Sequence, residues 1–321
     1  MSGPAADEPI RIGISSCLLG EEVRFDGGHK RDSFLVDTFG RWVEWVPVCP
    51  EVEIGLGTPR PTMRLERRGP TIRLITLKTG EDHTGAMTAF SRRRADQLAQ
   101  EDLVGYVLKK DSPSCGTERV KVYDQHGTPA RSGVGLYAEA LEARFPLLPV
   151  EEEGRLSDPR LRDNFVERVF AYRRLRTFFS GRWTIGGLVT FHTAHKLLIM
   201  SHSTVAYQNL GRLVAAARTL GRATLRERYE RGFMEALRSI ATPRRHANVL
   251  QHMIGHFRAK LDPASRQELV SCADEYRRGL LPLIVPIALI RHHVRAQGVD
   301  YLAGQLYLEP HPKELMLRNH V

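Results

Sequence analysis

A chain of 321 residues with 42% hydrophobic and 26% charged residues has the composition of a folded globular protein, long enough for about two domains. The longest apolar run, residues 279–290, contains two prolines and is too short to span a bilayer, which argues against a transmembrane segment. Residues 1–9 have no basic-then-apolar signal, and the chain has only four cysteines. We therefore expect a cytoplasmic protein without disulfides.

The net charge of +10 belongs to the second half of the chain. Residues 151–321 contain 27 Lys and Arg against 16 Asp and Glu, a net charge of +11, and 24 of those basic residues are Arg. Because Arg suits bidentate contacts with phosphate, one interpretation is a nucleic-acid partner. The other is a solvated helical surface, which the dispersed placement of the charges favours.

Short apolar strands alternate with helical patterns in the first half of the chain. Buried strands are predicted over 10–15, 42–48 and 103–108, and shorter extended segments over 64–65, 72–79 and 120–123. Helices are predicted over 32–39, 84–100 and 135–145. The alternation predicts an α/β three-layer domain, Rossmann-like with a mostly parallel sheet, over residues 9–150.

The pattern changes after residue 150. Residues 151–183 are predicted to form a linker and a connecting helix, because an acidic run precedes the helix-start signal of Asp158 and Pro159. Residues 184–310 have helical periodicity and almost no strand signal, which predicts an all-α domain. The expected helices are 160–180, 185–201, 204–220, 224–240, 247–261, 264–279 and 284–296.

Three cysteines follow predicted strands in loops rich in Ser, Pro or Gly: Cys17, Cys49 and Cys115. If the strands are parallel neighbours, these thiols meet at the sheet edge where open α/β folds bind ligands. Their spacing fits neither a CxxC pair nor a structural zinc site. Three thiolates from separate loops instead suit a 4Fe-4S cluster with one iron left open, since soft thiolates favour iron–sulfur centres. The alternative is that they are buried apolar residues, as we expect for Cys272.

Polar residues beside these cysteines are candidates for catalysis. Glu51, two residues after Cys49, is placed to take a proton from an attacking water as a general base. Ser112, three residues before Cys115, could orient or protonate a bound group. The remaining candidate substrate contacts are Ser16, Arg24, Asp26, Arg60 and Ser114, with loop bracing an equal alternative for both arginines and a turn role favoured for Asp26.

Five motifs in order resemble those of the 2-thiouracil desulfurase (TudS) family: SSCLLG, VRFDGGHK, VPVCPE, PRP and SPSCG. The resemblance covers residues 9–150 and implies a cubane 4Fe-4S cluster held by Cys17, Cys49 and Cys115, with Glu51 and Ser112 as catalytic residues. It implies non-redox, hydrolytic cleavage of a C–S bond, giving uracil and hydrogen sulfide from 2-thiouracil. In that reaction the substrate sulfur binds the open iron and Glu51 activates water.

The second half, residues 184–310, resembles the YbgA-like domain through FHTAHKLLIMSHS and the segment from residue 266 to 294. That family implies helices but no secure activity. The histidine pairs 192/195 and 252/256 have spacings that could bind a metal, but no HExxH motif accompanies them, so ordinary core or surface histidines are expected. Possible anion contacts are Lys196, Tyr207, Arg244 and Arg245.

Two other functions stay open from the sequence. One is desulfuration or binding of thiolated tRNA, an RNA-modification role in which the Arg-rich domain contacts phosphates. The other is an iron–sulfur stress sensor. Neither the physiological substrate nor the oligomeric state follows from the sequence.

Overall fold

The computed structural model describes residues 10–321, which form two compact units, residues 10–157 and Asp158–Val321. In the described part of the first unit, the strands are β1 (Arg11–Ser15), β2 (Glu44–Val48), β3 (Met63–Arg68), β4 (Thr71–Thr76), β5 (Gly105–Leu108), β6 (Val120–Tyr123), β7 (Pro129–Gly133) and β8 (Val150–Glu152). Its α-helices are α1 (Pro50–Glu53), α2 (Thr84–Leu98) and α3 (Leu136–Arg144).

Four of these strands form a fully parallel sheet in the order β2-β1-β5-β8. The inner strands β1 and β5 are almost entirely buried, which is why their sequences read as continuous apolar runs. The ring of Tyr106 in β5 packs against Gly13 of β1, where a Cβ atom would lie 2.1 Å from the ring. The small residue therefore makes room for a large aromatic side chain in the centre of the sheet.

The order of the strands in the sheet reverses direction at β1: the next strand in the chain, β2, lies on one side of β1, and β5 lies on the other. This makes the carboxyl edge of β2, β1 and β5 a topological switch point, the usual ligand site of open α/β sheets. The α/β class predicted for this half of the chain is confirmed.

The first unit also contains a second, mixed sheet in the order β4-β3-β6-β7, which the sequence pattern does not predict as a sheet. β3 and β4 form a hairpin, and β3 pairs in parallel with β6. The expected helix over 32–39 is instead a π-helical turn, Phe34–Thr38, followed by a 3-10 turn, Phe39–Arg41.

The segment expected to be a linker has regular structure at both ends. Its first residues lie in β8, where Glu151 and Glu152 are buried, and the backbone N–H of Thr117 donates to Glu152 at 2.8 Å. The helix α4 (Pro159–Ser180) then opens the second unit, with Asp158 capping the N–H groups of Arg160 and Leu161. The acidic composition that reads as a linker is thus explained by a paired edge strand.

The second unit is all-helical in the described residues, as predicted. After α4 follow α5 (Ile185–His202), α6 (Thr204–Ala215), α7 (Arg222–Arg238), α8 (Pro243–Gly255), α9 (Pro263–Arg277), α10 (Ile284–Ala296) and α11 (Asp300–Ala303). No helix among residues 10–321 is long and apolar enough to cross a membrane.

Candidate functional site

Cys17, Cys49 and Cys115 line one cavity of about 370 Å³ in the first unit. Each follows one of the three adjacent strands β1, β2 and β5, so their convergence is a direct result of the parallel sheet order. All three are free thiols, and Cys17 and Cys115 are buried.

A different local structure holds each cysteine in its loop. Cys17 lies in a 3-10 turn, Ser16–Leu19, and its carbonyl accepts a hydrogen bond from the N–H of Lys30 at 2.8 Å. Cys49 precedes α1 and accepts from the N–H of Glu53 through its carbonyl at 2.9 Å. The backbone N–H of Cys115 donates to the Ser112 hydroxyl.

Burial keeps the thiols protonated in the free chain. It raises the pKa of Cys17 to about 11, with the positive charges of Lys109 and Arg24 acting in the opposite direction. Burial likewise raises the pKa of Cys49 and, more strongly, that of Cys115. A metal that binds these sulfurs must therefore displace their protons.

Within residues 10–321, no three His, Cys, Asp or Glu side chains lie close enough to hold one metal ion. In a cubane cluster each cysteine binds a different iron atom, which requires a wider triangle of sulfurs around an open space. A shared cavity lined by free thiols, with cationic Lys109 and Arg24 nearby, fits such an anionic cluster.

Glu51 lines the same cavity, and its carboxylate is held from two sides. The guanidinium of Arg60 donates to Oε2 through Nε at 3.0 Å and also through its second terminal nitrogen. The buried Ser114 hydroxyl donates to Oε1 at 2.9 Å. Arg60 places a positive charge beside the carboxylate, and the two partners together fix its position in the cavity wall.

Ser112 organises the loop before Cys115. Its hydroxyl oxygen accepts hydrogen bonds from the N–H groups of Ser114, at 3.2 Å, and Cys115, at 3.1 Å. Ser112 also lines the cavity. Because both of these bonds use its oxygen as acceptor, its own O–H remains available to donate toward the cavity.

Only some of the other candidate substrate contacts line the cavity. Ser16, Arg24 and Arg60 line the cavity, whereas Ser114 reaches it only through Glu51. Asp26 is not among the lining residues; its carboxylate accepts from the N–H of Gly28 at 3.1 Å and pairs with Arg24, the turn role that the sequence favours. Sequence reasoning does not single out Lys109, which directly follows β5 and lines the cavity.

Of the two histidine pairs, His192 and His195 are packed in the helical core, whereas His252 and His256 are exposed at the end of α8. Nδ1 of His195 lies 2.7 Å from the carbonyl oxygen of Phe191, to which it can only donate, and Nε2 accepts from Arg174 at 3.2 Å. His192 contacts the Tyr229 hydroxyl at 3.1 Å. These partners agree with core histidines, and Cys272 is likewise buried in α9.

A separate cavity in the second unit, also about 370 Å³, lies between α5 and α6. Its lining brings together Lys196 and Tyr207, two of the possible anion contacts, with His192 and Arg212. Arg244 and Arg245 do not line it.

Two family models match successive parts of this chain. The model described as 2-thiouracil desulfurase matches residues 12–153, and that of a protein of unknown function, DUF1722, matches residues 196–312. The uncharacterized protein YbgA of Escherichia coli (strain K12) is 34% identical over 161 residues, which cover 50% of this chain and 95% of YbgA. The chain belongs to the YbgA family and carries a 2-thiouracil desulfurase domain ahead of its DUF1722 region.

Two further likenesses concern smaller parts of the chain. The uncharacterized protein YbbK of Bacillus subtilis (strain 168) is 29% identical over 113 residues, covering 32% of this chain and 72% of YbbK. The solved structure of a [4Fe-4S]-dependent thiouracil desulfidase, TudS, has 32% sequence identity and a TM-score of 0.38, and the match covers 46% of this chain and 93% of that one.

The match to the desulfurase model spans β1 through β8 and therefore contains the whole cysteine cavity. The cavity with Lys196 and Arg212 belongs to the YbgA-like region. The two cavities are therefore separate candidate sites.

Proposed function

We propose that the desulfurase domain removes sulfur from a thiolated pyrimidine such as 2-thiouracil, with water as the co-reactant and without net redox change. The products are uracil and hydrogen sulfide, because the oxygen of water replaces the sulfur on the ring carbon. The observation that supports this most strongly is the single cavity lined by three free cysteines and by Glu51.

Cys17, Cys49 and Cys115 would hold a 4Fe-4S cluster through their sulfurs. Such a cluster, when bound, supplies an open iron as a Lewis acid for the sulfur of the substrate. The rest of the chemistry falls to side chains of the chain itself.

Glu51 acts as the general base in this proposal. Its carboxylate, held in place by Arg60, takes a proton from the water that attacks the ring carbon. Ser112 also lines the cavity, and its O–H donates a hydrogen bond or relays a proton to the bound group. Ser16 and Arg24 also line the cavity and are candidate contacts for the polar edge of the pyrimidine.

Anaerobic purification with iron and sulfide analysis, followed by a 2-thiouracil assay, tests the proposal. Glu51→Gln should keep its iron and lose turnover by a factor on the order of 10² to 10⁴, the usual contribution of a general base. Glu44→Gln is the matched control, since this glutamate is exposed on β2 and pairs with Arg11. Iron-loaded protein that releases no sulfide from 2-thiouracil would favour a sensor instead of a desulfurase.

A second candidate is that the substrate is thiolated tRNA. The supporting observation is the cavity between α5 and α6, whose lining among the described residues includes Lys196 and Arg212 but no carboxylate. Elsewhere in the described part of this domain many arginines are paired with acids, as Arg231 is with Glu227. A concave surface with two cations and no acid in its wall suits phosphate.

Salt dependence of tRNA binding tests this second candidate. Replacing both Lys196 and Arg212 by Ala should weaken binding and lower the slope of log affinity against log salt by about 1 for each phosphate that the variant no longer neutralises. Arg231→Ala is the control, because this arginine is exposed and lies outside the cavity. If Arg231→Ala weakened tRNA binding as much as the double variant, binding would depend on general surface charge and not on this cavity.

A further inference from the structure

The carboxylate of Glu51 is connected to all three cysteine loops. Arg60 donates to Glu51 and, through its first terminal nitrogen, to the carbonyls of Val23 and Gly57, each at 2.9 Å. The Val23 carbonyl, which lies in the chain after the Cys17 loop, also accepts from the Cys49 thiol at 3.8 Å. Ser114, on the other side of Glu51, is the residue directly before Cys115.

The side chain of Arg60 is held by burial and by its own hydrogen bonds. Its side chain is only 4% exposed, and the bonds above use most of the five N–H groups of a guanidinium. Because two of its nitrogens donate to the same oxygen, Arg60 fixes Oε2 of Glu51 but leaves the orientation of Oε1 to another group.

Ser114 supplies that second contact, and its backbone cannot easily move. Its carbonyl accepts from the N–H groups of Tyr137, at 2.9 Å, and Ala138, at 3.2 Å, in the first turn of α3. Gly135 allows this close approach, since a Cβ atom there would lie 2.4 Å from the Ser114 carbonyl oxygen. With no exposed surface, the Ser114 side chain has little freedom to turn away from Glu51.

The contacts with Arg60 and Ser114 leave one hydrogen-bond acceptor position of the Glu51 carboxylate open on Oε1. Oε2 receives two N–H bonds from Arg60, and Oε1 receives the O–H of Ser114. Among the described residues no other hydrogen bond to Oε1 is present, so one of its lone pairs remains free in the cavity.

From this geometry we propose that Oε1 of Glu51 is the atom that takes the proton from water, and that Ser114 is the positioning residue that aims it. Ser114 does not touch the substrate; it acts through Glu51, and the inference rests on the function proposed above. In the step itself an O–H bond of water breaks and its proton forms a new O–H bond on Oε1, while the water oxygen bonds to the ring carbon and the π electron pair of the C=S bond moves onto sulfur. The remaining C–S bond then breaks as the C=O bond forms, and the two protons of the water leave with the sulfur as hydrogen sulfide.

Ser114→Ala should keep its iron and sulfide content and its KM for 2-thiouracil, while kcat falls by about 10- to 10²-fold, the scale of a misplaced catalytic group. Ser114→Thr, which retains the hydroxyl, should recover part of the loss. Ser91→Ala is the matched control, because Ser91 is also fully buried and bonds one backbone carbonyl, that of Met87. It should leave kcat and KM unchanged.

A double-mutant comparison shows whether Ser114 acts by positioning Glu51 or only by maintaining its loop. In the Glu51→Gln background, adding Ser114→Ala should lower the residual rate no further. The same fold-loss in both backgrounds would overturn the proposal, since Ser114 would then act independently of Glu51.

An infrared measurement tests the contact without any turnover. The difference spectrum of wild type minus Ser114→Ala should contain shifted carboxylate bands, and these should vanish when the comparison is made in Glu51→Gln protein. Unshifted bands would refute the contact even in a protein that takes up less iron. Shifted bands in a chain that leaves 2-thiouracil intact would instead show that the contact exists and that the proposed reaction is wrong.

Discussion

The hydroxyl oxygen of Ser112 accepts a hydrogen bond from the backbone N–H of Cys115 at 3.1 Å. Together with the bond from the N–H of Ser114, this contact closes the loop that carries the third cysteine. Ser112 thus has a structural task in addition to the catalytic one proposed for it.

Ser112→Ala is therefore expected to lower both iron retention and turnover. Losing an acceptor for two N–H groups in a partly buried loop costs about 1 to 3 kcal/mol of local stability. Ser112→Thr keeps the oxygen and should keep the iron. Iron and sulfide per chain and the rate of sulfide release check this; an alanine variant with full iron and no turnover would assign Ser112 to chemistry alone.

Replacing any one of Cys17, Cys49 and Cys115 by Ser should remove most of the cluster absorbance and all measurable desulfuration. A serine oxygen is a harder ligand than a thiolate and is a poor match for iron–sulfur clusters. Cys272→Ser, in α9 of the other unit, is the control and should retain both. If one of the three variants kept its full cluster and activity, that cysteine would not be a ligand.

The convergence of the cysteines could be predicted because each follows a strand with a clear apolar run. Buried strands of a parallel sheet are recognisable in this way, and a parallel order then brings their carboxyl ends together. β7 has no such signal, since Pro129 to Gly133 is mostly exposed and contains no apolar run, and its strand structure depends on its pairing with β6. Its register is set by tertiary contact rather than by composition.

The anchoring of Glu51 could not be predicted from sequence. Arg60 is nine residues away and Ser114 is sixty-three away, so no helical or strand period connects them with the carboxylate. Their motifs indicate only that both are candidate substrate contacts. The direction of their side chains depends on how the loops fold over one another, which one sequence does not specify.

Tyr106 and Tyr137 offer a test of the desulfurase core. Their hydroxyls share a hydrogen bond of 2.8 Å, and both side chains are fully buried. Tyr137→Phe leaves the Tyr106 hydroxyl without that partner and should lower the free energy of unfolding by about 1 to 3 kcal/mol. The double replacement by Phe should cost less than the sum of the single ones, because no polar group then remains unpaired.

Urea unfolding of the intact chain, followed by amide hydrogen exchange in β5, measures these changes. Tyr123→Phe is the control, since Tyr123 is half-buried on β6, beneath the guanidinium of Arg64. It should change stability by less than about 0.5 kcal/mol. Additive losses in the double variant would mean that the two hydroxyls do not depend on each other.

Acid should destabilise the YbgA-like domain from near pH 6.5 downward. Burial, and then the charge of Arg318, lower the pKa of His246 to about 3 in the folded chain, from 6.5. Burial alone would raise the pKa of Glu167, but its pairing with His202 and Arg318 lowers that pKa to about 2, from 4.5. In both cases the unfolded chain binds a proton at a pH where the folded chain does not, so stability is lost as the pH falls through this window.

One such group changes the free energy of unfolding by about 1.4 kcal/mol per pH unit between its two pKa values. Amide exchange in α8, measured from pH 7 to pH 5 and corrected for the intrinsic rate, should therefore show a falling opening free energy. His246→Phe should be less stable at pH 7 because it leaves the Tyr307 hydroxyl without its 2.9 Å contact, yet its pH slope should be flatter. His320→Gln, at an exposed position, should keep the wild-type slope, and an unchanged slope in His246→Phe would show that His246 is not the group responsible.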